Sequence, residues 1–182
     1  MDRLNKIILV VGRRGSGKTT FAKKLASSQN KKILVVDTFD HPSYVDYKLL
    51  TTDKLAYWQK GAYRVFDKDP LTMLLTINTV VRNAFLILED AAKYLSGNTP
   101  KEIKNILIDS RNRNLDIILM FHNLSDIPPY IAKMCNDIVL FRTNDNMDKT
   151  QAKFFNFHEL QKLHTEIKAN KSPHYYKIIS IQ

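Results

Sequence analysis

A segment near the amino terminus has the residue types and the spacing needed to hold a chain of phosphates. It matches the pattern G-x-x-x-x-G-K-[ST] at every position, and one more threonine follows it. Glycines let the backbone turn successive N–H groups inward, and the start of a helix adds further unpaired N–H donors. The sequence therefore predicts a nucleotide-phosphate site made of Gly12, Arg13, Arg14, Gly15, Ser16, Gly17, Lys18, Thr19 and Thr20.

Two side chains of this segment have distinct expected roles. Lys18 is expected to reach the β- and γ-phosphates of ATP, and the Thr19 hydroxyl is expected to bind Mg²⁺. The flanking residues support this prediction, because residues 7–11 form an apolar strand candidate and residues 18–28 carry apolar side chains at helical spacing. A strand, a glycine-rich loop and a helix in succession are what a phosphate site of this kind requires.

Acidic residues follow two other predicted strands, and the choice between them separates two reaction classes. Glu89 and Asp90 follow the apolar residues 85–88, whereas Asp37 follows residues 33–36. We expect Glu89 to position the water shell of Mg²⁺ and Asp90 to polarise an attacking water. The order of this pair is the reverse of the usual Asp-Glu, so either residue could be the catalytic carboxylate. The alternative interpretation is structural, because two acids also stabilise the start of a following helix. If Asp37 were the metal-associated acid instead, the chain would be a small-molecule or nucleoside kinase.

Cationic and polar residues flank the apolar run 117–121. Arg113 precedes it, and such an arginine could reach the γ-phosphate of a neighbouring subunit. Arg111 is the second candidate for this role, and a solvated helix end is the alternative interpretation of both. His122 and Asn123 follow the same run, where a polar side chain could sense the γ-phosphate.

The apolar runs predict strands that are buried on both faces, as in a parallel sheet. They comprise residues 7–11, 33–36, 85–88, 117–121 and 138–141, with a weaker edge strand at 63–66 and a further strand at 175–181. Helical patterns cover residues 18–28, 70–83, 100–113, 131–134 and 149–169, the last with a break near Asn156. This alternation predicts a three-layer α/β fold with a mainly parallel central sheet, in a single domain spanning residues 1–182.

Composition limits the class of protein. The chain has 182 residues, a formal net charge of +10 and one cysteine, Cys135, which excludes an intrachain disulfide and suits a reducing cytoplasm. No apolar run is long enough to span a bilayer, so we expect a soluble protein. The positive charge favours a polyanionic partner, most often nucleic acid. Residues 37–60 mix aromatic side chains with lysines, and we interpret this segment as the core of an irregular excursion rather than as a base-stacking surface.

In order and spacing, these motifs resemble the FtsK–HerA superfamily of DNA-pumping ATPases, and most closely its branch of viral genome-packaging ATPases. Arg113 falls on the arginine of that family, and His122 stands where a glutamine commonly ends the strand. The resemblance implies a RecA-like (ASCE) P-loop fold that hydrolyses ATP with Mg²⁺. It also implies a homo-oligomeric ring of five or six subunits, double-stranded DNA in the pore and possibly a capsid vertex protein as partner. The expected location is the host cytoplasm or the virion.

Three alternatives remain at this point. The motifs also resemble the ATPases that extrude filamentous phage, although those usually carry a transmembrane segment. The kinase with Asp37 as its metal-associated acid is the second alternative. A non-catalytic, nucleotide-gated DNA-binding or assembly factor is the third.

Overall fold

The computed structural model describes residues 5–37, 41–95 and 100–181. Within them the chain forms one sheet of eight strands, with helices on both of its faces. The strands are β1 (Ile7–Val11), β2 (Lys32–Val36), β3 (Lys48–Leu50), β4 (Ala62–Val65), β5 (Ala84–Leu88), β6 (Leu115–Phe121), β7 (Asp137–Phe141) and β8 (Tyr176–Ser180). The α-helices are α1 (Lys18–Ser27), α2 (Pro70–Val80), α3 (Ala92–Leu95), α4 (Lys101–Ile108), α5 (Pro129–Met134) and α6 (Phe157–Ala169).

The order of the strands brings the sequence motifs to one edge of the sheet. It is β3-β4-β2-β5-β6-β1-β7-β8, and every pairing is parallel except that of β7 with β8. Strand β6 lies between β1, which leads into the glycine-rich loop, and β5, which leads into the acidic pair. The carboxyl ends of these three strands therefore face the same crevice, the usual ligand position in an open α/β sheet.

Two apolar clusters lie on opposite faces of the sheet. The larger one contains Leu86 of β5 with Leu74 of α2 and Leu160 of α6, and the smaller one contains Val10 of β1 with Ala22 of α1. Strand residues alternate between the clusters because successive side chains point to opposite faces. The predicted three-layer α/β fold with a mainly parallel sheet is thus confirmed.

The structure differs from the sequence prediction at the sheet edge and at helix ends. The expected edge strand at 63–66 is β4, and β3 lies outside it. β3 has only three residues, which is too few for a periodic pattern. The helix predicted over 100–113 ends at Ile108, and the one predicted over 70–83 ends at Val80. The break predicted near Asn156 is confirmed, since a 3₁₀-helix over Met147–Lys153 precedes α6.

Most of the aromatic residues between 41 and 60 are buried, as expected for the core of an irregular excursion. Tyr44, Tyr47 and Trp58 are buried, whereas Tyr57 is 82% exposed. Cys135 is also buried; burial raises the pKa of its thiol to about 12, which argues against a nucleophilic role. Across the described ranges, the helices are too short or too polar to cross a membrane.

Candidate nucleotide-binding site

A cleft of about 390 Å³ opens at the carboxyl edge of the sheet. Residues from five separate parts of the chain line it: the glycine-rich loop with the start of α1, the segment after β2, the end of β5, the end of β6, and the segment before β8. They are Arg14, Gly15, Ser16, Gly17, Lys18, Thr19, Thr20, His41, Ser43, Glu89, Asp90, His122 and His174. The structure therefore brings most of the predicted phosphate-binding residues together with the acidic pair and His122.

The glycine-rich loop is anchored at its start and turns sharply at its end. The Gly12 N–H donates to the Phe121 carbonyl at 3.1 Å, and the Arg13 N–H donates to the Arg142 carbonyl at 2.9 Å. A Cβ at Gly12 would lie 2.5 Å from the Phe141 Cβ, so only glycine fits there. Gly17 directly precedes α1 and has φ 99°, a left-handed conformation that favours glycine. Gly12 and Arg13 lie outside the cleft lining, so they shape the loop from behind it.

Lys18 and Ser16 give the loop the character of an anion site. The Lys18 Nζ donates to the carbonyl oxygens of Gly12 and Arg13, at 2.5 and 3.1 Å. Burial lowers the pKa of Lys18, and the nearby charges of Glu89 and Asp90 oppose that change. The Ser16 Oγ is buried and finds no hydrogen-bond partner among the described residues. A buried ammonium and a buried hydroxyl beside a helix start fit a bound phosphate chain.

Glu89 is held by a residue far away in sequence. The Tyr44 hydroxyl donates to Glu89 Oε2 at 2.6 Å, and Tyr44 itself is fully buried. Burial raises the pKa of Glu89, while the Tyr44 hydrogen bond and the charge of Lys18 act in the opposite direction. The carboxylate is therefore oriented and only partly hydrated, which fits a group that orders the water shell of a metal ion.

Asp90 occupies a strained backbone position at the point where β5 ends. Its φ is 49°, in the left-handed region that aspartate tolerates better than most residues. Its carboxylate lies 3.5 Å from the His122 Nε2 and 3.7 Å from the Lys93 Nζ. The flanking N–H groups of Glu89 and Ala91 donate to Val36 and Met120 on the two neighbouring strands. The strained turn thus aims the Asp90 side chain into the cleft, a pattern typical of functional positions.

Asp37, the acid on which the kinase alternative depends, does not line the cleft. Its carboxylate is buried, accepts the His41 N–H at 2.8 Å and lies 3.4 Å from the Arg64 Nη1. These contacts give Asp37 a structural role at the end of β2, and they disfavour it as the metal-associated acid.

Arg113 and Arg111 lie at the opposite edge of the sheet from the cleft, just before β6 begins. Arg113 Nη2 is 3.5 Å from Asp109 Oδ2, and its buried Nη1 finds no hydrogen-bond partner within the described ranges. Arg111 is exposed. Neither side chain lines the phosphate cleft. Asn123 donates to Asp126 at 3.0 Å and lies outside the cleft lining.

The sequence prediction missed His41, Ser43 and His174. His41 and Ser43 belong to the irregular segment after β2, where no pattern marks them. His174 precedes β8, and the antiparallel direction of β8 brings that residue to the carboxyl edge of the other strands. The sequence predicts a strand at 175–181 but not its direction. Knowing that this strand is antiparallel would have placed His174 at the edge of the sheet that holds the cleft.

Replacing Glu89 with glutamine should stabilise the protein near neutral pH. Because burial raises the pKa of Glu89, the folded protein holds this proton more tightly than the unfolded chain does. The free energy of unfolding therefore falls as the pH rises from the ordinary carboxyl pKa to the raised one. Glu89→Gln avoids this loss and keeps an acceptor for Tyr44, so its melting temperature should exceed that of the wild type by a few degrees at about pH 8.

This gain in melting temperature should vanish below about pH 4, where the Glu89 carboxyl group is protonated in both the folded and the unfolded protein. Thermal unfolding at the two pH values measures it, with the exposed Glu159→Gln as the control. An equal increment at both pH values would show that the buried charge is not its cause.

The fold and the phosphate cradle are those of a P-loop NTPase. No protein-family model and no curated protein matches the sequence. Among solved structures, the genome packaging NTPase B204 from Sulfolobus turreted icosahedral virus 2 in complex with sulfate is similar, with a TM-score of 0.79 and 16% identity over 99% of this chain and 93% of that chain. The same NTPase in complex with ATP-gammaS is also similar, with a TM-score of 0.78 and 17% identity over 98% of this chain and 93% of that chain.

A structure described as B204, the DNA-packaging ATPase from Sulfolobus Turreted Icosahedral Virus, gives a TM-score of 0.72 and 18% identity over 97% of this chain and 93% of that chain. At this level of identity the likeness shows a shared fold, and it extends over nearly the whole of both chains. The resemblance to packaging ATPases inferred from the motifs is confirmed at the level of the fold.

Proposed function

We propose that the protein is an ATP-hydrolysing translocase of double-stranded DNA that packages a viral genome into a capsid. One observation carries this proposal: Glu89 and Asp90 lie in the same cleft as the phosphate cradle that contains Lys18. A cradle alone binds nucleotide, but a pair of carboxylates opposite it supplies what hydrolysis needs. The likeness to packaging NTPases over nearly the whole of both chains, one of them described as a DNA-packaging ATPase, supports the choice of DNA as the partner.

The loop would hold the triphosphate through its N–H groups, and Lys18 would leave the carbonyls of Gly12 and Arg13 to contact the β- and γ-phosphates. The residues present also fit a magnesium ion, since the Thr19 hydroxyl and the Glu89 carboxylate line one cleft. Mg²⁺ would supply charge neutralisation on the phosphate oxygens when bound. Thr19 and Glu89 are the residues that would hold it.

Asp90 would accept a hydrogen bond from the attacking water and align it with the γ-phosphate. Its strained backbone fixes the direction of the carboxylate, and His122 lies close enough to respond to it. His122 is 42% exposed, so it can also reach a bound γ-phosphate. This arrangement supports His122 as the sensor that links the phosphate state to the rest of the molecule.

Arg113 would complete the site of a neighbouring subunit in a ring of five or six copies. Arg113 lies at the amino edge of the sheet, so it cannot contact ATP bound to its own chain. The same position would let it contact ATP bound to a neighbouring subunit. One guanidinium nitrogen of Arg113 is buried without a partner among the described residues and another lies 3.5 Å from Asp109, so the side chain would have to turn outward to reach a neighbour's phosphate. Arg111 remains the second candidate.

Duplex DNA would pass through the ring, attracted by a formal net charge of +10. A capsid vertex protein would dock the motor, which would work in the host cytoplasm or on the virion. The contacts of Asp37 weigh against the kinase alternative.

Adding duplex DNA should raise steady-state ATP turnover several-fold, because a translocase couples its cycle to its track. Turnover is measured with and without linear duplex, with single-stranded DNA of equal length as the comparison and Lys18→Ala as the inactive control. An ATP turnover rate that does not change when duplex DNA is added would exclude a translocase and indicate an ATPase that is not coupled to DNA. Absence of any turnover in the assembled protein would favour the non-catalytic binding factor.

A further inference from the structure

A second cavity of about 410 Å³ adjoins the phosphate cleft on the side of α1. The two cavities share Gly17, Thr20 and His174, so the second one is a lateral extension of the first. Its remaining walls come from α1 and from the paired strands β7 and β8. The proposed hydrolysis of ATP does not use these walls.

Aromatic rings form the far wall of this extension. The Tyr176 ring lies 5.0 Å from that of Phe141 and 5.1 Å from that of Phe21, measured between centroids. Phe141 and Tyr176 are directly opposite each other in the β7–β8 ladder, which fixes their relative position. Phe141 is buried, whereas Tyr176 is 40% exposed and presents part of its ring to the cavity.

His174 stands at the boundary between the two cavities. A Cβ placed on Gly17 would lie 3.3 Å from the His174 Nδ1, so the imidazole packs against the start of α1. A nucleotide whose phosphates occupy the cradle must leave the loop close to this point. Its base then has an aromatic wall directly in reach.

We propose that this extension is the nucleobase subsite, with Tyr176 and His174 holding the base mainly by stacking and apolar contact. The inference rests on the proposed function, since it needs nucleotide phosphates in the cradle. Two observations support the assignment of a nucleobase subsite: the two cavities are continuous, and a partly exposed tyrosine ring lies beside the phosphate loop.

The chemistry of the walls also predicts weak discrimination between bases. Among the described residues that line the extension, Thr20, Lys24, His174 and Tyr176 carry polar groups, and none of these is a carboxylate or an amide. Stacking tolerates every base because each has a π-face. Strong discrimination instead requires buried polar groups that a wrong base would leave unpaired. ATP, GTP and CTP should therefore bind with dissociation constants within about tenfold of one another.

The test is calorimetric titration of the full chain with ATP, GTP, CTP and inorganic tripolyphosphate in the presence of Mg²⁺. Tyr176→Ala should weaken ATP binding by about tenfold, the effect of losing one stacked ring, and should leave tripolyphosphate binding unchanged. Tyr176→Phe keeps the ring and should bind ATP like the wild type. Tyr57→Ala removes a more exposed tyrosine at the opposite side of the sheet and should change neither affinity.

Equal loss of ATP and tripolyphosphate binding in Tyr176→Ala, or no loss of either, would overturn the subsite. A preference of more than about tenfold for one base would overturn binding mainly by stacking, because it requires polar groups that recognise that base. If the wild type bound neither ATP nor tripolyphosphate, the proposed function itself would fail. Retained tripolyphosphate binding in each variant also shows that the protein is folded.

Discussion

Asp90→Asn should lower ATP hydrolysis by about 10²–10⁴-fold while leaving ATP binding within a few-fold of the wild type. Asparagine has nearly the same shape and tolerates the left-handed backbone found at this position, where φ is 49°. The substitution therefore removes the negative charge that would accept a hydrogen bond from water and little else. Single-turnover hydrolysis and calorimetric ATP binding measure the two effects separately.

Glu89→Gln is the matched comparison, because the two acids are adjacent yet differ in surroundings. Glu89 is fixed by the Tyr44 hydroxyl and is the candidate magnesium residue. Its substitution should reduce the dependence of ATP binding on Mg²⁺, whereas Asp90→Asn should retain that dependence. Normal hydrolysis in Asp90→Asn, with loss confined to Glu89→Gln, would reverse the assignment within the pair.

Asp37→Asn separates this account from the kinase alternative. Asp37 accepts the His41 N–H and lies beside Arg64, so its substitution should lower the melting temperature more than the catalytic rate of the folded fraction. Loss of phosphoryl transfer in Asp37→Asn, with ATP hydrolysis unaffected by Asp90→Asn, would instead identify a kinase.

Arg113→Ala should reduce steady-state turnover by about 10³–10⁵-fold, the range expected for an arginine supplied by a neighbouring subunit. The guanidinium would neutralise charge that develops in the transition state, so ATP binding should change little. The exposed Arg111→Ala is the control, and it should retain most of the activity. Analytical ultracentrifugation checks that each variant still assembles.

Mixing two inactive variants tests whether the site is shared. Lys18→Ala subunits keep Arg113, and Arg113→Ala subunits keep a working phosphate cradle. A mixed ring therefore contains interfaces where both groups are intact, and turnover should return in proportion to them. Two assembled variants that stay inactive after mixing would place the arginine outside the active site.

The phosphate cradle could be predicted from sequence because its chemistry is local. Gly17, Lys18 and Thr19 are adjacent in the chain, and their roles follow from one loop and one helix start. The central strands were predictable for a similar reason, since a strand buried on both faces must be apolar throughout. Glu89 and Asp90 could be placed at the same edge as the loop because parallel strands share the direction of their ends.

The parts of the site that could not be predicted from sequence depend on contacts between segments that are distant in the chain. Tyr44 meets Glu89 across 45 residues, through an irregular segment whose path no periodicity reveals. His174 reaches the cleft only because β8 runs antiparallel to β7. The edge strand β3 was missed because its three residues, two of them exposed, carry no pattern.

Displacement of a third strand from duplex DNA is the most direct assay of ATP-driven translocation. A labelled oligonucleotide is bound as a triplex on linear duplex, and its release is followed after adding protein and ATP. A translocase should release it in an ATP-dependent manner, and Lys18→Ala and Asp90→Asn should leave it bound. Wild-type protein that hydrolyses ATP on the same duplex, yet never displaces the third strand, would contradict translocation.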